Sequence, residues 1–185
     1  MNILCRYWIW LRRVGHCKGF GIQSPKDYAF VTEVINEHWP YYAYETIKEK
    51  DWKKRKLGRL YLRLANWRQP TWMEQDEYEE WWKAGAHPQP LPEAHPQPLP
   101  EGRGETQPRT RNIELGRMDI AGNWEEMAAR CDGKSVVVVE NIYRNWRRWH
   151  EIEHDGRVGT TFDLYYCGIV WFDKERFGHH YKVNF

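Results

Sequence analysis

The stretch SVVVVENIY (Ser135–Tyr143), followed by a Trp/Arg-rich segment and then by VGTTFDLYYCGIVWFD (Val158–Asp173), decides the fold class. Four consecutive valines between Gly133 and Glu140 suit a strand buried on both faces, because β-branched side chains pack on a pleated surface and no polar residue alternates with them. Such a strand belongs in the middle of a parallel sheet. In the second run Phe162, Leu164 and Tyr166 share one parity and Gly168 falls between two β-rich runs, which predicts an antiparallel hairpin with an irregular turn. A central strand, a helix of about a dozen residues with Trp146, Trp149 and Ile152 as its buried stripe, and a hairpin make an α/β layer rather than a bundle. The closing HHYKVNF adds one short edge strand.

Upstream of the valines, Ile113, Leu115, Met118 and Ile120 predict another short strand, Asn123 caps a helix with Glu126 at its third position, and Asp132-Gly133 turns into the valine run. Nearer the amino terminus, Ser24 and Pro25 read as N-cap and first residue of a helix with Asp27 at its third position, which Pro40 ends. A second helix carries Leu57, Leu60, Tyr61, Leu64 and Trp67 on one face and stops before Pro70. Lys53 to Lys56 sit at its start, where the helix dipole disfavours cations, so they are expected to be solvated or partner-facing. The first residues, MNILCRYWIWLRRVG, form an amphipathic helix too short to span a bilayer and without signal-peptide character; its expected role is docking on the domain.

The chain of 185 residues is 41% hydrophobic and 29% charged, enough for one core plus a solvated segment, with a mean hydropathy of −0.88. Most of the twelve tryptophans are expected in the core, the rest in a groove or interface. Net charge is +2, yet residues 1–70 carry 14 Lys+Arg against 6 Asp+Glu, whereas residues 71–83 carry 1 against 5. A basic, aromatic amino terminus suits nucleic acid or an anionic lipid surface, but a solvated helix face is the commoner explanation of such a run, and no strong nucleic-acid signal is present. Cys5, Cys17, Cys131 and Cys167 form no CxxC pair, and neither they nor the histidines show metal-ligand spacing; His150 and His154 are read as a solvated helix face. A reducing cytoplasm is the expected location.

Four regions follow: a helical part at residues 1–70, an acidic helical segment at 71–83, a Pro-rich linker at 84–110, and the carboxyl-terminal α/β part of the same domain at 111–185. The linker contains AHPQPLPE twice in tandem, at Ala86–Glu93 and Ala94–Glu101, holding six of the ten prolines. Proline at every second position removes backbone donors and favours polyproline II, so a disordered, solvated insertion is expected.

The segments GFGIQSP (Gly19–Pro25), PYYAYE (Pro40–Glu45), KLGRLYLRLANWRQP (Lys56–Pro70), SVVVVENIY and TFDLYYCGIVWFD (Thr161–Asp173) together resemble a bacterial class I S-adenosylmethionine-dependent methyltransferase-like family. The final hairpin resembles the sixth and seventh strands of small-molecule O-methyltransferases. The resemblance covers about residues 1–70 and 112–185, and it implies a Rossmann-like sheet, a methyl acceptor and S-adenosylmethionine as cofactor if the chain is active. In that family a strand begins after the equivalent of Pro70 and ends in a glycine-rich turn that holds the cofactor. Here Thr71-Trp72-Met73-Glu74-Gln75-Asp76 stands in its place, without the glycine that close backbone approach to a ligand requires. The sheet is therefore expected to be truncated.

The resemblance assigns the residues after the valine strand to the acceptor site. Glu140 and Asn141 fall there, at the carboxyl edge where open α/β sheets bind ligands. Glu140 is equally readable as a strand-end carboxylate that caps the next helix. Tyr41 and Tyr42 are candidates for an acceptor pocket or for lid packing, Asp163 for hairpin structure, and no residue for a metal. Three functions are expected from this: a degenerate methyltransferase-like protein acting as a binding or dimerisation module; an active enzyme with a rearranged pocket and Glu140 as base; or a membrane-surface or RNA-binding protein acting through its amino terminus.

Overall fold

Four valines in a row stay out of water only if the sheet is covered on both faces, and this is how they sit. The computed structural model of the chain describes residues 3–70, 77–86, 112–173 and 178–185. Its strands are β1 (Leu115–Asp119), β2 (Val136–Glu140), β3 (Thr160–Asp163), β4 (Cys167–Trp171) and β5 (His179–Lys182), in the order β1-β2-β4-β3-β5. β1 runs parallel to β2 and β3 parallel to β5, while β4 is antiparallel to both β2 and β3. Four strands thus point one way and β4 alone is reversed. The described residues form a mixed α/β structure; the valine strand has one parallel and one antiparallel neighbour, which corrects the expectation of a parallel setting on both sides.

Side-chain alternation distributes the strand between two cores. Val136 and Val138 pack with Phe162, Ile169 and Trp171 against the amino-terminal helices, whereas Val137, Val139 and Val170 pack on the opposite face. Fully burying each such side chain contributes about 1.5–3 kcal/mol. On the first face lie α2 (Pro25–Phe30), continued by a π-helical turn at Val31–Ile35, then α3 (Ala43–Thr46), α4 (Trp52–Arg68) and α5 (Glu79–Ala86). The second face is covered by α6 (Trp124–Ala129) and α7 (Trp146–Glu153).

The local start signals act as read. Ser24 accepts from the Asp27 amide at 3.4 Å and Asn123 from the Glu126 amide at 3.4 Å. The helix after Ser24 ends at Ile35, short of Pro40. α4 begins earlier than its apolar stripe, because Asp51 caps it by accepting from the Lys54 amide at 2.8 Å, and it ends with Gln69 in the left-handed region at φ 47. α5 runs to Ala86, past the boundary expected at residue 83. It lies close to α4 because Gly58 leaves room for the Trp81 indole and Gly85 for the Leu62 carbonyl.

Other expectations change. The hairpin turn is Leu164–Tyr166, with Tyr165 at φ 72 and its amide held by Asp163 Oδ1 at 2.8 Å. Gly168 lies inside β4 instead of between strands, paired with Val139 and Asp163. α7 has eight residues, and Trp146 at its start is exposed while Trp149 and Ile152 are buried. α1 (Ile3–Arg12) buries no residue. It is held by polar and cationic contacts instead: the Arg6 guanidinium lies 3.5 Å over the Trp52 ring, and Arg13, just after the helix, pairs with Asp163 at 3.1 Å. Among the described residues five tryptophans are buried, namely Trp81, Trp82, Trp124, Trp149 and Trp171, whereas Trp8, Trp10, Trp39, Trp67 and Trp146 are exposed, so the core holds fewer than expected. Residues 71–76 and nearly all of the proline repeat lie outside the described residues.

Candidate functional site

The carboxyl end of β2 carries Glu140, nearly sequestered at 5% exposure, and Asn141, which leaves the strand in the left-handed conformation at φ 60. Asparagine tolerates that region better than branched residues do, which lets the chain turn sharply into the short 3₁₀ segment Ile142–Arg144. The parallel neighbour β1 brings Arg117 and Asp119 to the same edge, and α4 lies across it with Lys53, Lys54 and Tyr61.

A buried carboxylate is stable only when its charge is compensated. Glu140 meets this requirement twice: the Tyr61 hydroxyl donates to it, and Arg117 Nε donates at 2.6 Å. The same guanidinium reaches Glu77 at 2.6 Å, and Glu77 also pairs with Lys54 at 2.7 Å. The Lys54 bond, with Arg117 behind it, holds Glu77 below the usual carboxylate range. Asn141 is bracketed in the same way, its oxygen taken by Lys53 and its amide nitrogen given to Asp119. Asp119 is lowered because the donors Ala121 and Asn141 outweigh its burial. Burial, reinforced by the negative charge of Glu140, pushes the Tyr61 hydroxyl well above its ordinary value, so this group is a proton donor that keeps its proton.

These groups bond to one another. Carboxylate, guanidinium, carboxylate and ammonium alternate from Glu140 through Arg117 and Glu77 to Lys54, and this chain ties β2, β1, the segment before α5, and α4 together. Glu140 and Asn141 both belong to this network, while Tyr41 and Tyr42 lie elsewhere. Tyr41 donates to Glu37 at 2.8 Å, accepts from Asn66 at 3.3 Å and packs on Tyr44; burial and the Glu37 carboxylate raise it to about 12. Tyr42 is exposed at the start of α3. Neither bonds to a member of the Glu140 network.

Asp163 serves the hairpin, as read, through Arg13 and Tyr165. His150 pairs with Glu153 at 2.7 Å and His154 stacks on His180. Among the described residues no group of three or more potential ligands could hold a metal ion, and no helix is long and apolar enough to cross a membrane.

Arg117 and Tyr61 were the members hardest to see in the sequence. The signal for Arg117 is its place inside a short strand among Leu115, Met118 and Ile120, where a cation needs a buried anion opposite; Tyr61 reads as one more apolar-face residue.

The site and the five-stranded mixed sheet define an α/β protein with a closed polar network at its carboxyl edge. No family model, curated protein or solved structure matches the chain.

Proposed function

We propose that the chain is a degenerate S-adenosylmethionine-dependent methyltransferase-like protein that acts as a binding or dimerisation module without using the cofactor. The observation that carries this reading is the pairing of Glu140 with both Tyr61 and Arg117, which engages the carboxylate that the resemblance would assign to an acceptor's proton. The sheet supports the kinship: a reversed strand inserted between two co-directional strands suits a hairpin that resembles the sixth and seventh strands of such enzymes.

The residues present do not fit the cofactor. Arg117 and Glu140 bond to each other and Lys53 to Asn141 at the carboxyl edge of β1 and β2, and residues 71–76 contain no glycine for a turn that hugs the cofactor's methionine portion. Isothermal titration with S-adenosylmethionine and S-adenosylhomocysteine tests this. No heat of binding is expected, and a dissociation constant in the low micromolar range would overturn the reading.

The exposed apolar side of α1, with Leu4 at 72% and Trp8 at 60% exposure, favours self-association as the module's role. Light scattering at several concentrations is expected to show a dimer; a monomer throughout, or recruitment to anionic liposomes instead, argues against it.

A further inference from the structure

On the same side of the sheet, beyond the Glu140 network, the turn Leu164–Tyr166, the last residues Asn184 and Phe185, α1 and the first turns of α4 line an open cleft of about 350 Å³. Aromatic side chains make up much of its wall: Trp52 meets Tyr166 edge-on at 5.3 Å, and Tyr7, Trp10, Tyr165 and Phe185 also line it.

Three cations face this space, and only one is neutralised. Arg13 is paired with Asp163. Arg6 and Lys56 have no carboxylate or hydrogen-bond acceptor among the described residues; they lie instead on the two sides of aromatic rings, Arg6 3.5 Å from the Trp52 centroid and Lys56 4.1 Å from that of Phe185. The Arg6 Nε is buried and unpaired. Placing two uncompensated cations side by side in one half-open aromatic cleft is unfavourable in the empty protein, since each disfavours the charge of the other. A ligand with a negative group would remove that penalty, and its ring would meet the aromatic side chains among the lining residues.

We propose that this cleft binds a small aromatic carboxylate, its acid group between Arg6 and Lys56 and its ring against Trp52, Tyr165 and Tyr166. The volume lies at the lower end of ligand sites and suits one or two fused rings. The inference is independent of the methyltransferase resemblance, because neither Glu140 nor Arg117 lines the cleft.

Isothermal titration of the full chain with benzoate, 1-naphthoate and indole-3-acetate tests it. At least one acid is expected to bind with a dissociation constant on the order of 0.1 mM. Indole-3-acetamide, hexanoate and inorganic phosphate should each bind about tenfold more weakly than the best acid, and Arg6→Met and Lys56→Met should each weaken that acid about tenfold. The inference is overturned if none of the three acids binds, if the amide, hexanoate or phosphate binds as tightly, or if both variants retain wild-type affinity. The acid, amide, hexanoate and phosphate comparison uses the unaltered chain, so it decides the matter even where a variant misfolds.

Discussion

The indole of Trp149 lies directly over Gly168, so that a β-carbon on residue 168 would stand 2.1 Å from its ring. α7 can approach β4 this closely only because the strand has no side chain there. Gly168→Ala is therefore expected to lower stability by about 1–3 kcal/mol, although alanine suits a strand better than glycine does. Urea unfolding should show a lower midpoint at an unchanged slope, and the penalty should shrink in a Trp149→Leu background. An unchanged midpoint would contradict the packing.

Gly58 makes a similar argument for the pair α4 and α5. Replacing a helical glycine with alanine ordinarily stabilises by about 0.5–1 kcal/mol. At Gly58 the added carbon would meet the Trp81 indole at 2.4 Å, so the sign should reverse. Thermal unfolding of Gly58→Ala is expected to shift downward, with loss of near-ultraviolet signal from Trp81 and Trp82.

The Glu140 network yields a prediction that separates structure from catalysis. Glu140→Gln keeps an acceptor for Tyr61 but leaves the Arg117 guanidinium short of one anion, and a loss of about 1–3 kcal/mol is expected in chemical denaturation. Tyr61→Phe should cost about 1 kcal/mol through the same carboxylate. A general base would behave differently: its replacement by glutamine would abolish turnover and leave stability unchanged.

Asp155 and Lys56 titrate with opposite consequences. Asp155 accepts from Arg157 and from Trp124 Nε1 at 2.8 Å, and the Arg157 bond first of all holds it far below the usual carboxylate range. A carboxyl with a lowered folded-state pKa stabilises the fold above its unfolded value, near pH 4, and that stabilisation disappears as pH falls. Asp155→Asn should flatten the acid limb of stability measured from pH 6 downward. Lys56 is lowered to about 8 from 10.5 by burial, then by Arg63 and Arg6, with Cys167 opposing. Between those values the unfolded chain holds the extra proton, so this group makes stability rise with pH from about 8 until the tyrosines begin to ionise. Lys56→Met should remove the rise and increase stability at pH 7.

What could be read beforehand follows the range of each interaction. The valine run, the caps at Ser24 and Asn123 and the hairpin announce themselves within a few residues, because strand burial and capping are local. Arg117 and Glu140 stand 23 positions apart and meet only through strand pairing. Gly168 looked like a boundary because the reason for its glycine, Trp149, belongs to another element. The extra turn at the end of α5 was hidden by the prolines that follow Ala86. The dipole argument makes Lys53 and Lys56 solvated or partner-facing, and in the fold the first reaches Asn141 and the second a cleft wall; a few tenths of a kcal/mol of helix-end electrostatics yields readily to tertiary contacts.

The reversed strand has a consequence for the order of assembly. β1 with β2 and β3 with β5 are two parallel pairs that share no ladder with each other, and each is joined to the rest only through β4. Parallel pairs bring together segments distant in sequence and form slowly, whereas β3 and β4 are joined by a three-residue turn and close early. The hairpin is thus the natural nucleus, and β2 docks on it afterwards. A lesion in Cys167–Trp171 should slow folding more than an equally destabilising one in β1, a difference that stopped-flow refolding of Ile169→Ala and Leu115→Ala would reveal.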